Sequence, residues 1–84
     1  MLQEVTVEFL GTSLLLSAIK FIGTPIAIGG ALFIAVLVGG SISGGHFNPA
    51  VTTWAYLSGK VGVNKAILYI LAQLSAASAV WLLA

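Results

Sequence analysis

Cysteine and arginine are both absent from these 84 residues, and charged residues of every kind make up only 6%. Without cysteine there is no disulfide framework and no thiolate metal site, and the redox compartment leaves no trace in the chain. A water-soluble surface needs about a quarter of its residues charged, which this composition cannot supply. The three basic residues, Lys20, Lys60 and Lys65, are scattered and the net charge is only +1, which gives no footing for nucleic-acid binding. Neither Gly39-Gly40 nor Gly44-Gly45 is followed by the Lys-Ser/Thr of a phosphate loop, so nucleotide binding lacks a motif too.

What is present in excess is apolar: 60% of residues are hydrophobic and the mean hydropathy is +1.16. These values describe a chain whose solvent is lipid. An all-α, multi-pass integral membrane protein is the expected fold class, because in hydrocarbon only helices and closed barrels satisfy their own backbone. The first apolar stretch runs from Val5 to about Ile22, broken by Glu8 and closed by Lys20, which can snorkel to headgroups, and by Gly23 as a stop. A signal peptide fits it poorly, since Glu4 and Glu8 stand where a basic leader belongs and no clear cleavage site follows. Thr24-Pro25 pairs an N-cap with a first-turn proline and opens an uncharged stretch over about 26–42. Asn64 can cap a third stretch over about 64–84, which carries Trp81 near its end as an interfacial anchor. Gly29, Gly30, Gly39 and Gly40, with Ala31 and Ala35, give the second stretch a run of small residues suited to close helix packing.

Between the second and third stretches lies Ser43-Gly44-Gly45-His46-Phe47-Asn48-Pro49-Ala50-Val51-Thr52, a glycine-rich polar turn that leads into a helix start. Asn48 is a favoured N-cap, Pro49 is preset for the first helical position, and Ser58-Gly59 supplies a stop. About ten helical residues reach about 15 Å, against a hydrocarbon core of about 30 Å. The segment 43–58 therefore reads as a re-entrant loop and half-helix. Irregular backbone survives at membrane depth only where protein or a water-filled cavity receives it, and the N-terminus of the half-helix aims about half a positive charge inward. His46 is the only histidine, with no cysteine and no nearby second carboxylate, so no metal set assembles around it and no cofactor or enzymatic chemistry is implied.

The run Ser43 to Thr52 resembles the signature Ser-Gly-x-His-x-Asn-Pro-Ala-Val-Thr of the aquaporins and glycerol facilitators, the major intrinsic proteins. Glu8-Phe9-Leu10-Gly11-Thr12 is similar to that family's first helix and Tyr69-Ile70-Leu71-Ala72-Gln73 to its third, so the resemblance covers nearly the whole chain. It implies half of the aquaporin fold: three transmembrane helices plus one re-entrant half-helix, one repeat of a channel whose two repeats meet in inverted orientation. It also assigns pore-lining places to Asn48, Pro49, Ala50, Gly44, Gly45 and His46. Asn48 would cap its helix through its carbonyl oxygen and offer its amide to permeating molecules, while the carbonyls of 44–46 form a ladder of acceptors. Ile28 takes the position of a narrow-filter residue that is commonly aromatic or His, and its aliphatic side chain makes that wall more apolar. Glu8 and Gln73 are assigned to brace the loop. The alternatives are that Glu8 snorkels to the interface and that Gln73 is glue between helices.

The function implied is passive transport of water or small neutral solutes through a pore that needs a complementary repeat, from self-pairing in a homo-oligomer or from a separate chain. The filter arginine of the family's second repeat has no counterpart among these residues. A non-conducting truncated fragment acting only as an interaction partner is the alternative. A small dual-topology transporter using Glu8 is a third reading. Lys60 and Lys65 against Lys20 place the chain start and the 59–63 segment on the cytoplasmic side by two charges to one, a margin that leaves inverted insertion open.

Overall fold

The computed structural model describes residues 1–83 and contains four helices: α1 (Leu2–Phe21), α2 (Pro25–Ser43), α3 (Pro49–Leu57) and α4 (Val63–Leu82). Three of them, α1, α2 and α4, are 19 or 20 residues long and apolar enough to cross a membrane. At about 1.5 Å per residue each reaches about 30 Å, the thickness of a bilayer core, and the bundle measures 35 × 24 × 21 Å. The nine residues of α3 reach less than half of that. α1 is the central element: α2 packs on one side of it and α4 on the other, while α3 lies against α4.

Small residues make up much of the helix-facing interior, around the buried Phe47, Tyr69, Glu8 and Gln73. Ala31, Ala35, Gly39 and Ser43 recur every four positions and form the whole buried line of α2, while Ala66, Ala72 and Ala76 serve α4. Leu32, Phe33, Leu37, Val38, Leu71 and Leu74 face outward. A water-soluble domain would place those large side chains inside; in lipid they lose nothing by staying outside, and close approach of small residues gives the packing. The small-residue run is thereby narrower than its sequence suggests. Among the described residues a Cβ added to Gly29 or Gly30 would have nothing within 4 Å, and one added to Gly40 would meet only its own helix; none of the three is on the buried line of α2.

Local punctuation sets the ends. Thr24 Oγ1 accepts from the Ala27 N–H at 3.3 Å and Pro25 opens α2. Thr24→Ala is expected to lower stability by about 1 kcal/mol, measured by reversible unfolding in mixed micelles followed by circular dichroism. Gly23 (φ 78°) and Gly44 (φ 92°) end α1 and α2 in the left-handed conformation that favours glycine. At α4 the cap differs from expectation. Gly62, and not Asn64, is the N-cap, without a side-chain hydrogen bond, and Asn64 sits inside the first turn. The expected span over 64–84 runs on to Ala84, which lies outside the described residues. Lys20 also departs from simple snorkelling: its Nζ donates to the Val80 carbonyl at 2.8 Å, so α1 caps the C-terminal end of α4. At the other end Lys65 and the N-terminal amine both pair with Glu4 at 2.9 Å.

Candidate functional site

A groove of about 500 Å³ between α1 and α2 is lined almost wholly by apolar side chains such as Leu14, Phe21, Ile26 and Ile34. The polar chemistry lies elsewhere, in the loop joining α2 to α3. Gly44, Gly45 and Phe47 all have positive φ (92°, 68° and 54°), which throws the chain back on itself within four residues. Glycine adopts such angles freely, whereas a bulky residue at φ 54° costs about 1–2 kcal/mol. Phe47 is held there from two sides. Its N–H donates to Glu8 Oε1 at 2.7 Å, and its ring, 2% exposed, lies against Gly11 of α1.

Glu8 is the hub. It sits two turns into α1 with no solvent exposure. Its Oε2 accepts from the Ser43 hydroxyl at 2.7 Å and the His46 N–H at 3.1 Å, and its Oε1 from the Phe47 N–H and from Gln73 Nε2 at 2.9 Å. Four donors thus meet the four lone-pair directions of one carboxylate, and a carboxylate in that setting needs such partners to be tolerated in a membrane. Interface snorkelling does not describe this side chain, because every one of its partners is internal. Gln73 also donates to Thr52 Oγ1 at 2.9 Å, and that oxygen lies 2.8 Å from His46 Nδ1. Tyr69 donates its hydroxyl to the Ser43 carbonyl and sets its ring edge-on to His46, with centroids 5.1 Å apart. α1, α3 and α4 therefore all grip the same short loop.

The loop's own backbone is bonded on one side only. The N–H groups of residues 44 to 47 go, in order, to the Gly40 carbonyl, Ser43 Oγ, Glu8 Oε2 and Glu8 Oε1. The carbonyls of Gly44, Gly45 and His46 receive no hydrogen bond among the described residues. At the end of the loop Asn48 caps α3: its Oδ1 accepts from the Ala50 N–H at 2.7 Å, and its backbone carbonyl accepts from Thr52 N–H. Since the cap uses the oxygen, the Asn48 NH₂ stays unbonded within the described residues on an exposed side chain. Pro49 follows half-buried and Ala50 exposed at the start of α3.

Of the residues singled out from sequence, Glu8, Gly44, Gly45, His46, Asn48, Pro49, Ala50 and Gln73 lie in or against this loop. Ile28 does not. It is half-buried near the start of α2, sixteen residues or about 24 Å of helix before Gly44. No group of three or more His, Cys, Asp or Glu side chains able to hold a metal occurs among the described residues. Sequence reasoning gave no individual role to Gly11, Ser43, Phe47, Thr52 or Tyr69. All five stand within the motif-bearing runs, but nothing local says that they converge.

A family model described as Major intrinsic protein matches residues 5–84. Among curated proteins, Aquaporin TIP1-2 of Musa acuminata is 53% identical over 53 residues, 63% of this chain and 21% of that protein. Probable aquaporin PIP2-2 of Oryza sativa subsp. japonica is 47% identical over 57 residues, 68% of this chain and 20% of that protein. Aquaporin PIP2-1 of Arabidopsis thaliana is 47% identical over 55 residues, covering 66% and 19%. The alignments thus span about a fifth of each relative's length. No solved structure gives a significant match.

Proposed function

This chain belongs to the major intrinsic protein family, and from that membership we propose that it supplies one repeat of a membrane channel for water or small neutral solutes. The complementary repeat comes from a second copy in inverted orientation, from another chain or from a longer polypeptide. The observation that carries the reading is the one-sided bonding of the loop: all N–H groups of 44–47 are engaged inward, while the carbonyls of 44–46 and the Asn48 amide remain open. Lipid cannot satisfy those groups. A file of water can, giving its hydrogens to the carbonyls and receiving the amide hydrogens at Asn48.

The electrostatics favour neutral cargo. The N-terminus of α3 carries about half a positive charge at Asn48, which disfavours a hydronium or a metal cation there. A water oxygen held by the Asn48 amide turns its hydrogens away from that donor and interrupts proton hopping along the file. Asn48, Pro49, Ala50, Gly44, Gly45 and His46 form the inner lining in this reading, with Ile28 an apolar wall near the far mouth.

Asn48→Asp tests it cleanly, because aspartate caps a helix as well as asparagine does while lacking the amide donors. Osmotic shrinkage of vesicles carrying the purified chain is expected to exceed that of empty vesicles. With Asn48→Asp the excess should fall about tenfold, the equivalent of one hydrogen bond of about 1.4 kcal/mol. Wild-type vesicles shrinking no faster than empty ones would overturn self-pairing into a pore.

A further inference from the structure

The Thr52 hydroxyl departs from the bonding that several helical hydroxyls of this chain share. Thr6, Ser13, Thr53 and Ser78 each donate to the carbonyl four residues back, at 2.7–3.2 Å. Thr52, fully buried, makes no such bond to Asn48 among the described residues; its Oγ1 is shared between Gln73 Nε2 at 2.9 Å and His46 Nδ1 at 2.8 Å. Who donates to whom follows from counting protons.

Glu8 fixes the first link. Its Oε1 already accepts from the Phe47 N–H, and the Gln73 end group that meets it at 2.9 Å must be the NH₂, since the amide oxygen would face a carboxylate oxygen. Gln73 Oε1 accordingly has no partner among the described residues, although it is buried. The two hydrogens of Nε2 go to Glu8 and to Thr52. Thr52 Oγ1 is then an acceptor toward Gln73, and its single proton has one hydrogen-bonded neighbour left to receive it among the described residues, His46 Nδ1. A proton on Nδ1 would leave the buried Thr52 proton with no acceptor.

We infer that Gln73 and Thr52 are positioning residues that hold His46 as the neutral tautomer with its hydrogen on Nε2. Nε2 makes no hydrogen bond among the described residues and lies on the Gly44 side of the ring, 3.6 Å from where a Gly44 Cβ would stand. Gly44 is itself exposed. The loop consequently presents an N–H donor beside its open carbonyls, a pairing that suits a neutral molecule able both to donate and to accept, such as water or a hydroxylated solute. A bare cation finds only the acceptors. This deepens the channel reading and rests on it for what the donor meets, while the tautomer itself rests only on the hydrogen-bond chain from Glu8 to His46.

The chain has one histidine, so ¹⁵N solid-state NMR of the full chain in lipid bilayers reports His46 without ambiguity. The expected spectrum at neutral pH has one protonated and one unprotonated ring nitrogen, the hydrogen on Nε2, in the wild type and in Thr52→Ser. Thr52→Val is expected to lose the single-tautomer signal, because Nδ1 no longer has a donor. A proton on Nδ1 in the wild type, or a Thr52→Val spectrum identical to it, overturns the inference. Should Thr52→Val not fold, the wild-type and Thr52→Ser spectra decide alone. Vesicle shrinkage on the same samples separates the two claims: an Nε2–H signal without permeability counts against the pore and leaves the tautomer standing.

Discussion

Glu8→Ala is expected to destabilise the bundle by about 4 kcal/mol and to release the loop between α2 and α3. The substitution strands four donors at once. The Ser43 hydroxyl and the Gln73 amide can turn toward other acceptors, Ser43 already lying 3.4 Å from the Gly39 carbonyl. The N–H groups of His46 and Phe47 cannot turn, and a buried unpaired donor costs about 1–3 kcal/mol. The cost compounds at Phe47, whose left-handed backbone is anchored by the Glu8 bond. Glu8→Gln keeps one acceptor but sets an NH₂ against two existing donors, so a loss of about half that size is expected. Hydrogen exchange in bilayers checks both: the His46 and Phe47 amides should exchange much faster in Glu8→Ala while the amides at the centre of α2 stay protected. Unchanged protection at 46 and 47 would remove Glu8 from its bracing role.

Gly11→Ala is the second large effect, and its sign runs against helix propensity. Alanine in place of glycine inside an exposed helix stabilises by about 1 kcal/mol. At Gly11 the added Cβ would run into the Phe47 ring, striking Cε1, Cδ1 and Cζ together. A flexible exposed side chain would step aside. Phe47 is 2% exposed, fixed at φ 54° and tied to Glu8, so the clash passes to the loop itself. A net loss of about 1–3 kcal/mol is expected from overpacking. Gly29→Ala is the internal control, since nothing lies within 4 Å of the place its Cβ would take; there the full propensity gain of about 1 kcal/mol should appear. Reversible unfolding in mixed micelles measures the pair, and the same sign at both positions would show that Gly11 is not a seat for Phe47.

Much of the fold was legible because its signals are local. Hydropathy and length marked three spanning helices, and Thr24-Pro25, Asn48-Pro49 and Gly23 marked their ends through caps and dihedral preferences acting within one turn. The same local logic failed at α4, where Asn64 is as good a cap as Asn48 but the chain enters the helix from Gly62. Cap propensity says which residues suit the role, and the path of the preceding turn, Ser58 to Val61, chooses among them. The small residues of α2 were visible too, yet which of them face α1 depends on the helix's rotation about its axis. The neighbour fixes that rotation, so Ala31, Ala35, Gly39 and Ser43 are inside and Gly29 is not.

The site divides along the same line. By itself the sequence determined that a short helix begins at Asn48 amid apolar spans, that the turn before it needs glycine, and that Glu8 is a charge in want of partners; composition, capping and burial cost are properties of neighbours along the chain. Only the tertiary structure decided who those partners are. Glu8 meets residues 35 to 65 positions away, Thr52 takes Gln73 and His46 in place of its own helix, and Phe47 finds its seat at Gly11. Such contacts depend on how three helices converge around one loop, and a hydrogen bond between distant residues exists only when packing has brought donor and acceptor within about 3 Å.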